Sequence, residues 1–215
     1  MNVLIVGAGA REHALAWRIN QSPALTRLWI APGNFGTSGI ATNLEVDPAD
    51  VDAVAAAART VKADLVVVGP EAPLAGGLAD RLALLGVPVF GPSQAAAQIE
   101  SSKAFALELM RTAGVPCPEF HVFHDQAAAL SHLKANNGPK VVKADGLTAG
   151  KGVMICADAT EAAAAVRSCM SGQVFGDAGS TVVLEELLTG PEISVFAFTD
   201  GEHIAPLVTA CDYKR

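Results

Sequence analysis

Apolar residues in the first half of the chain form short runs that alternate with longer segments of helical spacing. The runs predict five β-strands, at Val3–Val6, Leu28–Ala31, Leu44–Val46, Leu65–Val68 and Val87–Phe90. The spacing between them predicts helices that begin at Glu12, Pro48 and Leu74, and another after Ser101 or Ser102. Strands that alternate with helices are typical of a parallel sheet. The pattern therefore predicts an α/β fold that opens with a Rossmann-like parallel sheet.

Turn residues mark where these helices begin and end. Asp47 followed by Pro48 predicts a helix start, because the Asp side chain accepts free N–H groups and proline fits the first helical position. Gly114 and Pro116 end a helix over Lys103–Ala113. We therefore expect a domain boundary at Pro116–Pro118.

The pattern changes after that boundary. It predicts a strand near Phe120–Phe123, a helix over Ala127–Ala135, strands on both sides of a glycine-rich segment, a helix over Thr160–Met170, a strand over Thr181–Glu186 and a hairpin turning at Asp200-Gly201. Hairpins of this kind indicate an α+β module with antiparallel strands.

Composition restricts the class of protein. The chain has 215 residues, of which 51% are hydrophobic, and 22 acidic against 15 basic side chains give a formal charge of −7. A negative balance without a basic run argues against nucleic acid as a partner. No apolar run approaches the roughly 20 residues of a membrane span, and the start lacks the basic segment of a signal peptide. We expect a soluble, cytoplasmic protein without a membrane partner, whose four widely spaced cysteines are reduced thiols, mostly buried.

The segment Lys143–Val153, called the glycine loop below, holds three glycines and two lysines between apolar runs. Glycine lets the backbone approach an anion, and Lys143 and Lys151 supply charge. The spacing is not that of a Walker-A loop, in which a serine or threonine follows the lysine and a helix follows the loop. The alternative is a solvated hairpin; the two lysines favour a phosphate site.

Glycine turns follow three predicted strands, at Gly7–Glu12, Gly69–Leu74 and Gly91–Ser93. Glu12 stands where a dinucleotide fingerprint has a small residue, so NAD binding is not expected. Turns at the carboxyl edge of an open sheet predict a small anionic ligand. The alternative is simple chain reversal, which leaves the charge of Glu71 unexplained.

Three further segments permit two interpretations each. His13 is a possible base, although packing or capping is the commoner role. Asp177 and Gly179 would contact phosphate or magnesium, or form an ordinary Asp turn. The paired acids that open Glu185–Glu192 would line a nucleoside pocket, or lie on a solvated strand.

Taken together, Ser102–Phe105, the glycine loop and Glu185–Glu192 have the order and spacing of ATP-grasp ligases. Over essentially its whole length the chain resembles the phosphoribosylamine–glycine ligase (glycinamide ribonucleotide synthetase) family. The most specific segments are Arg11–Ala16, Pro32–Asn34, Gly69–Leu74, Gly91-Pro92, Glu100–Phe105, Phe175–Gly179 and Asp212–Arg215. The first loop departs from the family, since Ala8 and Ala10 stand where Asn and Gly are usual.

The resemblance implies a substrate-binding pre-ATP-grasp domain over residues 1–116, an ATP-grasp lid over 117–190 and the start of a truncated ATP-grasp core over 191–215. It implies ATP-dependent ligation of glycine to 5-phosphoribosylamine through a glycyl phosphate, with release of ADP and phosphate, in the second step of de novo purine synthesis. Such a step depends on positioning and on cations at the transferring group. Two alternatives stay open: another ATP-grasp carboxylate–amine ligase, or a non-catalytic nucleotide-binding module.

The resemblance also implies site residues. The ATP phosphates would contact Lys103 and Lys143, and Gly150, Lys151 and Gly152 would close over them. The adenine would be edged by Glu185, Glu186 and Leu188, and the ribose would contact Glu192. Glycine and phosphoribosylamine would contact Gly9, Gly69, Glu71, Pro73, Asp212 and Lys214. The catalytic residues would be Lys151, Asp212 and Lys214. No metal ligand is expected within the chain, because the residues that hold Mg²⁺ or Mn²⁺ in the family would follow residue 215. We expect an N-terminal half that is monomeric or weakly self-associating, binds nucleotide weakly and turns over little.

Overall fold

The computed structural model describes residues 1–136, 138, 140–148 and 150–211. Its first sheet contains β1 (Asn2–Gly7), β2 (Arg27–Pro32), β3 (Thr42–Asn43), β4 (Leu65–Val68) and β5 (Val89–Phe90). The five strands are parallel in the order β3-β2-β1-β4-β5. This confirms the predicted open parallel sheet. The order reverses between β1 and β4, and the crevice at the carboxyl ends of such strands is where open α/β sheets bind ligands.

Six helices accompany this sheet among the described residues. They are α1 (Ala10–Ile19), α2 (Val51–Thr60), α3 (Glu71–Ala75), α4 (Leu78–Leu84), α5 (Gln94–Ser101) and α6 (Lys103–Thr112). Alternate residues of β1 pack on opposite faces: Leu4 lies in a cluster with α2 and α4, and Ile5 in one with α1. A sheet covered on both faces needs continuously apolar strands, which is why the runs in the sequence do not alternate with polar residues.

Several predicted boundaries in this part are wrong. The second helix begins at Val51 and not at Pro48, because Asp50 is its N-cap and accepts the Ala53 N–H at 2.9 Å. The helix expected from Leu74 begins at Glu71 and stops at Gly76-Gly77, where Gly77 has φ 88°. The strand expected over Leu44–Val46 is displaced to β3. Helix α5 was not predicted, because alanine and glutamine dominate it and only Ala97 is buried.

The second sheet contains β6 (Phe120–Phe123), β7 (Lys140–Ala144), β8 (Val153–Cys156) and β9 (Val182–Glu186). It is antiparallel in the order β6-β9-β7-β8. One face packs under α7 (Gln126–Ala135) and α8 (Ala159–Met170). The other face is covered in part by α6, whose Leu107 packs on Phe120 and Val183. The remainder of that face, called the open face below, carries Lys143.

The last described residues form two small antiparallel pairs. Strand β10 (Ile193–Ser194) pairs with β13 (Ala210–Cys211), and β11 (Ala197–Thr199) pairs with β12 (Ile204–Pro206) around the predicted turn at Asp200-Gly201. None of the four cysteines is paired in the structure; Cys156 and Cys169 are buried, Cys117 is half-buried and Cys211 is exposed, so the prediction that most of them are buried is wrong for two. Over the described residues, the helices are too short or too polar to cross a membrane.

Candidate functional site

A buried ion pair occupies the open face of the second sheet. Because strand residues alternate, Val142 and Ala144 point into the core and Lys143 points to the open face. Its Nζ lies 2.7 Å from Oε2 of Glu185, a side chain only 3% exposed. The other oxygen, Oε1, is buried and has no hydrogen-bond partner among the described residues. An unsatisfied buried acceptor costs about 1–3 kcal/mol, so a ligand that brings a donor fits this position.

Apolar side chains surround this ion pair. In the β7–β8 ladder Val153 lies opposite Lys143, and Ile155 lies opposite Val141. Both β8 side chains are solvent-exposed, Val153 at 45% and Ile155 at 71%. Strand β8 therefore exposes two branched apolar side chains to solvent next to a polar ion pair. Such a surface suits a flat, partly polar ring.

A cavity of about 670 Å³ opens beside the pair. Its walls come from the start of α3, from α5 and α6, and from the glycine loop. The lining residues include Glu71, Ile99, Lys103, Met110, Lys143, Leu147, Thr148, Gly150 and Val153. The volume lies in the usual range for small-molecule sites. The cavity therefore joins the two parts of the chain in one site.

Lys103, the first residue of α6, projects toward this cavity. Its Nζ donates to the carbonyl oxygens of Asp145 at 3.2 Å and Gly146 at 3.0 Å. Burial lowers the pKa of Lys103; the negative charge of Asp145 raises it in part, and the positive charge of Lys143 lowers it further. Two ammonium groups thus line one partly buried cavity, an arrangement that favours a polyanionic ligand.

The glycine loop closes as a turn between β7 and β8, with the Ala144 N–H donating to the Gly152 carbonyl at 2.8 Å. Gly150 has φ 80° and open space around its Cα, and it lines the cavity. Gly152 is buried against Thr148, whose Cγ2 would lie 2.8 Å from an added Cβ. The Lys151 side chain is exposed. Ala149 lies outside the described residues.

The predicted ATP contacts that follow Glu185 in the sequence are solvent-exposed and have different surroundings. Glu186 is exposed, and its Oε1 accepts the Glu119 N–H at 2.9 Å. Leu188 is exposed beyond the end of β9. Glu192 is exposed just before β10, and its carbonyl accepts the Cys211 thiol at 3.3 Å. Of the two adjacent acids, Glu185 is therefore the one whose carboxylate reaches Lys143.

The crevice of the first sheet is built around Glu12, which sequence reasoning treated only as a departure from a fingerprint. Its carboxylate is 5% exposed, and Oε2 accepts the Gly9 N–H at 2.6 Å. A Cβ added to Gly69 would lie 2.5 Å from Glu12 Cδ and closer still to Oε1, and one on Gly7 would lie 2.7 Å from Cδ. The carboxylate fills the helix N-terminus where a dinucleotide would place its diphosphate. An acid at the third helical position, as in a capping box, is the signal in the sequence.

Glu71 connects this crevice to the cavity. Arg11 Nη1 donates to the Gly69 carbonyl at 2.5 Å and to Glu71 Oε1 at 3.1 Å. The pKa of Glu71 is lowered, chiefly by the hydrogen bond from its own backbone N–H; burial raises it in part, and the hydrogen bond and positive charge of Arg11 lower it further. Gly9 is exposed and Pro73 is buried. The expected substrate residues Asp212 and Lys214 lie outside the described residues.

The other candidates lie in ordinary packing positions. The His13 ring packs against Gly36, where an added Cβ would lie 2.9 Å from Nδ1. Gly179 is buried against the Cys169 carbonyl, and Asp177 is exposed in the short 3₁₀ helix Gly176–Gly179. Over the part of the chain that the structure describes, no group of three or more His, Cys, Asp or Glu side chains would hold a metal ion.

Two family models match the chain. The model described as "Phosphoribosylglycinamide synthetase, N domain" matches residues 1–100. The model described as "Phosphoribosylglycinamide synthetase, ATP-grasp (A) domain" matches residues 101–215.

Similar curated proteins carry the name phosphoribosylamine–glycine ligase. The Rhodopirellula baltica protein is 47% identical over 99% of this chain and 50% of its own length. The Nostoc protein is 49% identical over 100% of this chain and 51% of its own length. The chain therefore spans about half the length of the curated relatives it matches.

Solved structures share the fold. The phosphoribosylamine–glycine ligase of Thermotoga maritima gives a TM-score of 0.81 at 29% identity, over 100% of this chain and 51% of that chain. The N5-carboxyaminoimidazole synthetase of Staphylococcus aureus, complexed with ADP, gives 0.75 at 17% identity, over 100% of this chain and 55% of that chain.

Proposed function

Because the chain belongs to the phosphoribosylglycinamide synthetase family, we propose that it supplies the nucleotide-binding and substrate-binding surfaces of an ATP-dependent ligase that joins glycine to 5-phosphoribosylamine. The activity belongs to proteins about twice as long as this chain. The proposal therefore concerns the part that these residues play in the reaction.

The observation that supports it best is the Lys143–Glu185 pair with its unpartnered oxygen. An adenine ring presents an amino donor next to a ring-nitrogen acceptor. Glu185 Oε1 accepts from the amino group, and Lys143 donates to the ring nitrogen. Guanine presents a carbonyl oxygen in place of the amino group, which would face the carboxylate without a proton between them. The site thus favours ATP over GTP, and Val153 and Ile155 provide the apolar surface for the ring.

The triphosphate then extends toward the second lysine. Lys103 and the backbone of the glycine loop line the cavity next to Lys143. Ammonium groups and N–H groups of a glycine-rich turn are suited to phosphate oxygens. Lys151 is exposed in the same loop and would cover the phosphates in a closed form of that loop.

The reaction needs an activated carboxylate. One carboxylate oxygen of glycine forms a bond to the γ-phosphorus as the bond from that phosphorus to the bridging oxygen of ADP breaks. The amine of phosphoribosylamine then forms a bond to the acyl carbon, phosphate leaves and the amine loses a proton. Lysine cations beside the transferring group stabilise its charge. Gly9, Gly69, Glu71 and Pro73 belong to the crevice that would hold the two substrates.

ATP-grasp enzymes generally use a divalent cation such as Mg²⁺ or Mn²⁺, which neutralises phosphate charge when bound. The described residues do not form a site for one. The metal ligands therefore stay a prediction, and the phosphate contacts proposed within the described residues are those of Lys103 and the glycine loop.

Nucleotide titrations test the proposal. Calorimetry of the wild-type chain should give ATP binding at least about tenfold tighter than GTP binding, a difference of roughly 1.4 kcal/mol. Glu185→Ala should abolish that preference. Glu119→Gln removes an exposed acid just before β6, the strand that pairs with β9. This variant should keep the preference for ATP unchanged. Equal affinity of the wild-type chain for ATP and GTP would refute the adenine assignment.

The ligase assignment has its own test. ADP release by the naturally occurring protein should require glycine and freshly generated phosphoribosylamine together. If ADP appears with another acid or amine, the nucleotide site stands and the substrate assignment fails.

A further inference from the structure

Asp145 links the two parts of the chain. It follows β7 directly, and its carboxylate lies at the start of α6. Oδ1 accepts the Ala104 N–H at 2.7 Å, and the Ser102 hydroxyl donates to Oδ2 at 2.9 Å. Its carbonyl oxygen accepts from Lys103 twice, from the backbone N–H at 3.3 Å and from Nζ at 3.2 Å.

The same residue is fixed from the side of the second sheet. The Asp145 N–H donates to the Thr181 carbonyl at 3.0 Å, and the next N–H, of Gly146, donates to the Ala178 carbonyl at 3.1 Å. A Cβ on Gly146 would lie 2.7 Å from the Ala178 Cβ, so the backbone there is closely packed. The backbone of Asp145 is therefore fixed on the second sheet, while its side chain binds the first turn of α6.

The start of α6 depends on the hydrogen bonds to the Asp145 carboxylate. Ser102 is the N-cap of α6: its Oγ accepts the Phe105 N–H at 3.1 Å while its hydroxyl proton serves Asp145. A carboxylate at a helix N-terminus is also stabilised by the helix dipole. The first turn of α6, which begins with Lys103, is thus positioned by Asp145.

We propose that Asp145 is a positioning residue for the nucleotide phosphates, because it holds Lys103 against the glycine loop so that the ammonium groups of Lys103 and Lys143 face one cavity. The inference rests on the proposed nucleotide site. Two like charges in a half-buried cavity repel each other. Without the carboxylate, the first turn of α6 loses the bonds that Ser102 and Ala104 donate to Asp145, and Lys103 loses the negative charge that favours its protonated form. The bonds from Lys103 to the carbonyl oxygens of Asp145 and Gly146 then have to hold the lysine alone.

A plain helix cap would have a different consequence. Losing it would weaken the fold, and all ligands of the site would be affected alike. A positioning role affects the phosphates and spares the nucleoside, because adenine contacts Lys143 and Glu185. Asp125 provides the matched control: it is the N-cap of α7, accepts the Ala128 N–H at 2.8 Å and is not one of the residues that line the cavity.

The experiment compares Asp145→Asn with Asp125→Asn in the full chain. Calorimetric titration with ATP, ADP and adenosine should show Asp145→Asn weakening ATP and ADP by about tenfold, with adenosine unchanged within about twofold. Asp125→Asn should change none of the three. An equal loss for ATP and adenosine, or no loss for ATP, would overturn the inference.

A second measurement needs no nucleotide. Competitive acetylation followed by peptide mass spectrometry gives the pH at which Lys103 becomes reactive. Because Asp145 raises the pKa of Lys103, Asp145→Asn should make Lys103 reactive at lower pH, whereas Asp125→Asn should not. An unchanged Lys103 profile refutes the inference. If the wild-type chain binds neither ATP nor adenosine, the proposed function fails while the Lys103 profile still decides whether Asp145 governs this lysine.

Discussion

Replacing Gly69 by alanine tests the packing of the crevice. The added Cβ would lie 2.5 Å from Glu12 Cδ and closer still to its Oε1. Glu12 is buried, so its carboxylate has little room to retreat. Moving it breaks the 2.6 Å bond from the Gly9 N–H. A hydrogen bond to a charged group contributes about 1.5–3 kcal/mol, and overpacking costs about 1–3 kcal/mol. We expect Gly69→Ala to lower the free energy of unfolding by about 2.5–6 kcal/mol, the range that these two effects give together.

The assay is thermal and urea unfolding of matched variants. For a chain of this size, each kcal/mol corresponds to roughly 2–4 °C in Tm. Gly39→Ala is the control, because an added Cβ there meets nothing within 4 Å and the φ of Gly39 is not in the left-handed region. It should shift Tm by less than about 2 °C, the size of an ordinary surface effect.

The double variant identifies the cause. Glu12→Ala alone loses the bond to Gly9 and should be destabilised. If the clash with Glu12 is what harms Gly69→Ala, adding Gly69→Ala to Glu12→Ala should cost little more, a coupling of about 1–3 kcal/mol. Additive effects of the two substitutions, or a Gly69→Ala variant as stable as Gly39→Ala, would refute this account of the crevice.

Two further predictions concern single carboxylates. Asp50→Ala should destabilise the chain by about 1 kcal/mol in urea unfolding, because Asp50 caps α2. Asp47→Ala should cost less, because the Asp47 side chain accepts only the Ala49 N–H. A larger loss for Asp47→Ala than for Asp50→Ala would support a helix start at Pro48. The pKa of Glu71 is lowered in the folded chain, so its contribution to stability is present above the unfolded pKa and is lost as pH falls through the folded one. Glu71→Gln should therefore lose less stability than the wild type on acidification below about pH 4.5; identical pH profiles would contradict this.

The strand patterns could be predicted because burial on two faces leaves a strong local signal. Val66–Val68 is apolar at every position and lies inside the first sheet, between β1 and β5. Helix α5 carries no such signal, since a helix that buries one alanine looks like a loop of small residues. The start of α2 was placed too early because both Asp47 and Asp50 are good caps, and only the geometry selects one.

The site shows the same limit. Lys103, Lys143 and Glu185 were expected from the family resemblance, and the structure brings all three to one region. Asp145 could not be identified, because in the sequence it is a turn residue beside glycine, and its side-chain partners lie 41–43 residues earlier. A sequence pattern indicates only the interactions between residues close in the chain. The side chain of Asp145 instead binds a helix that is distant in the sequence.

Helix α6 is the element that makes the two parts of the chain one site. The predicted boundary at Pro116–Pro118 groups it with the first domain, and only one residue separates it from α5, which packs on α3 of that domain. Yet Leu107 of α6 covers Phe120 and Val183 of the second sheet, and the first turn of α6 is held by Asp145. The two family models meet between residues 100 and 101, just before this helix. Helix α6 packs on the second sheet and is joined through Ser102 to α5 of the first part. Its first residue, Lys103, therefore lies where the two parts meet. Lys103 and Lys143 are therefore both held by the second sheet, and the short connection through Ser102 to α5 brings residues of the first part to the same cavity.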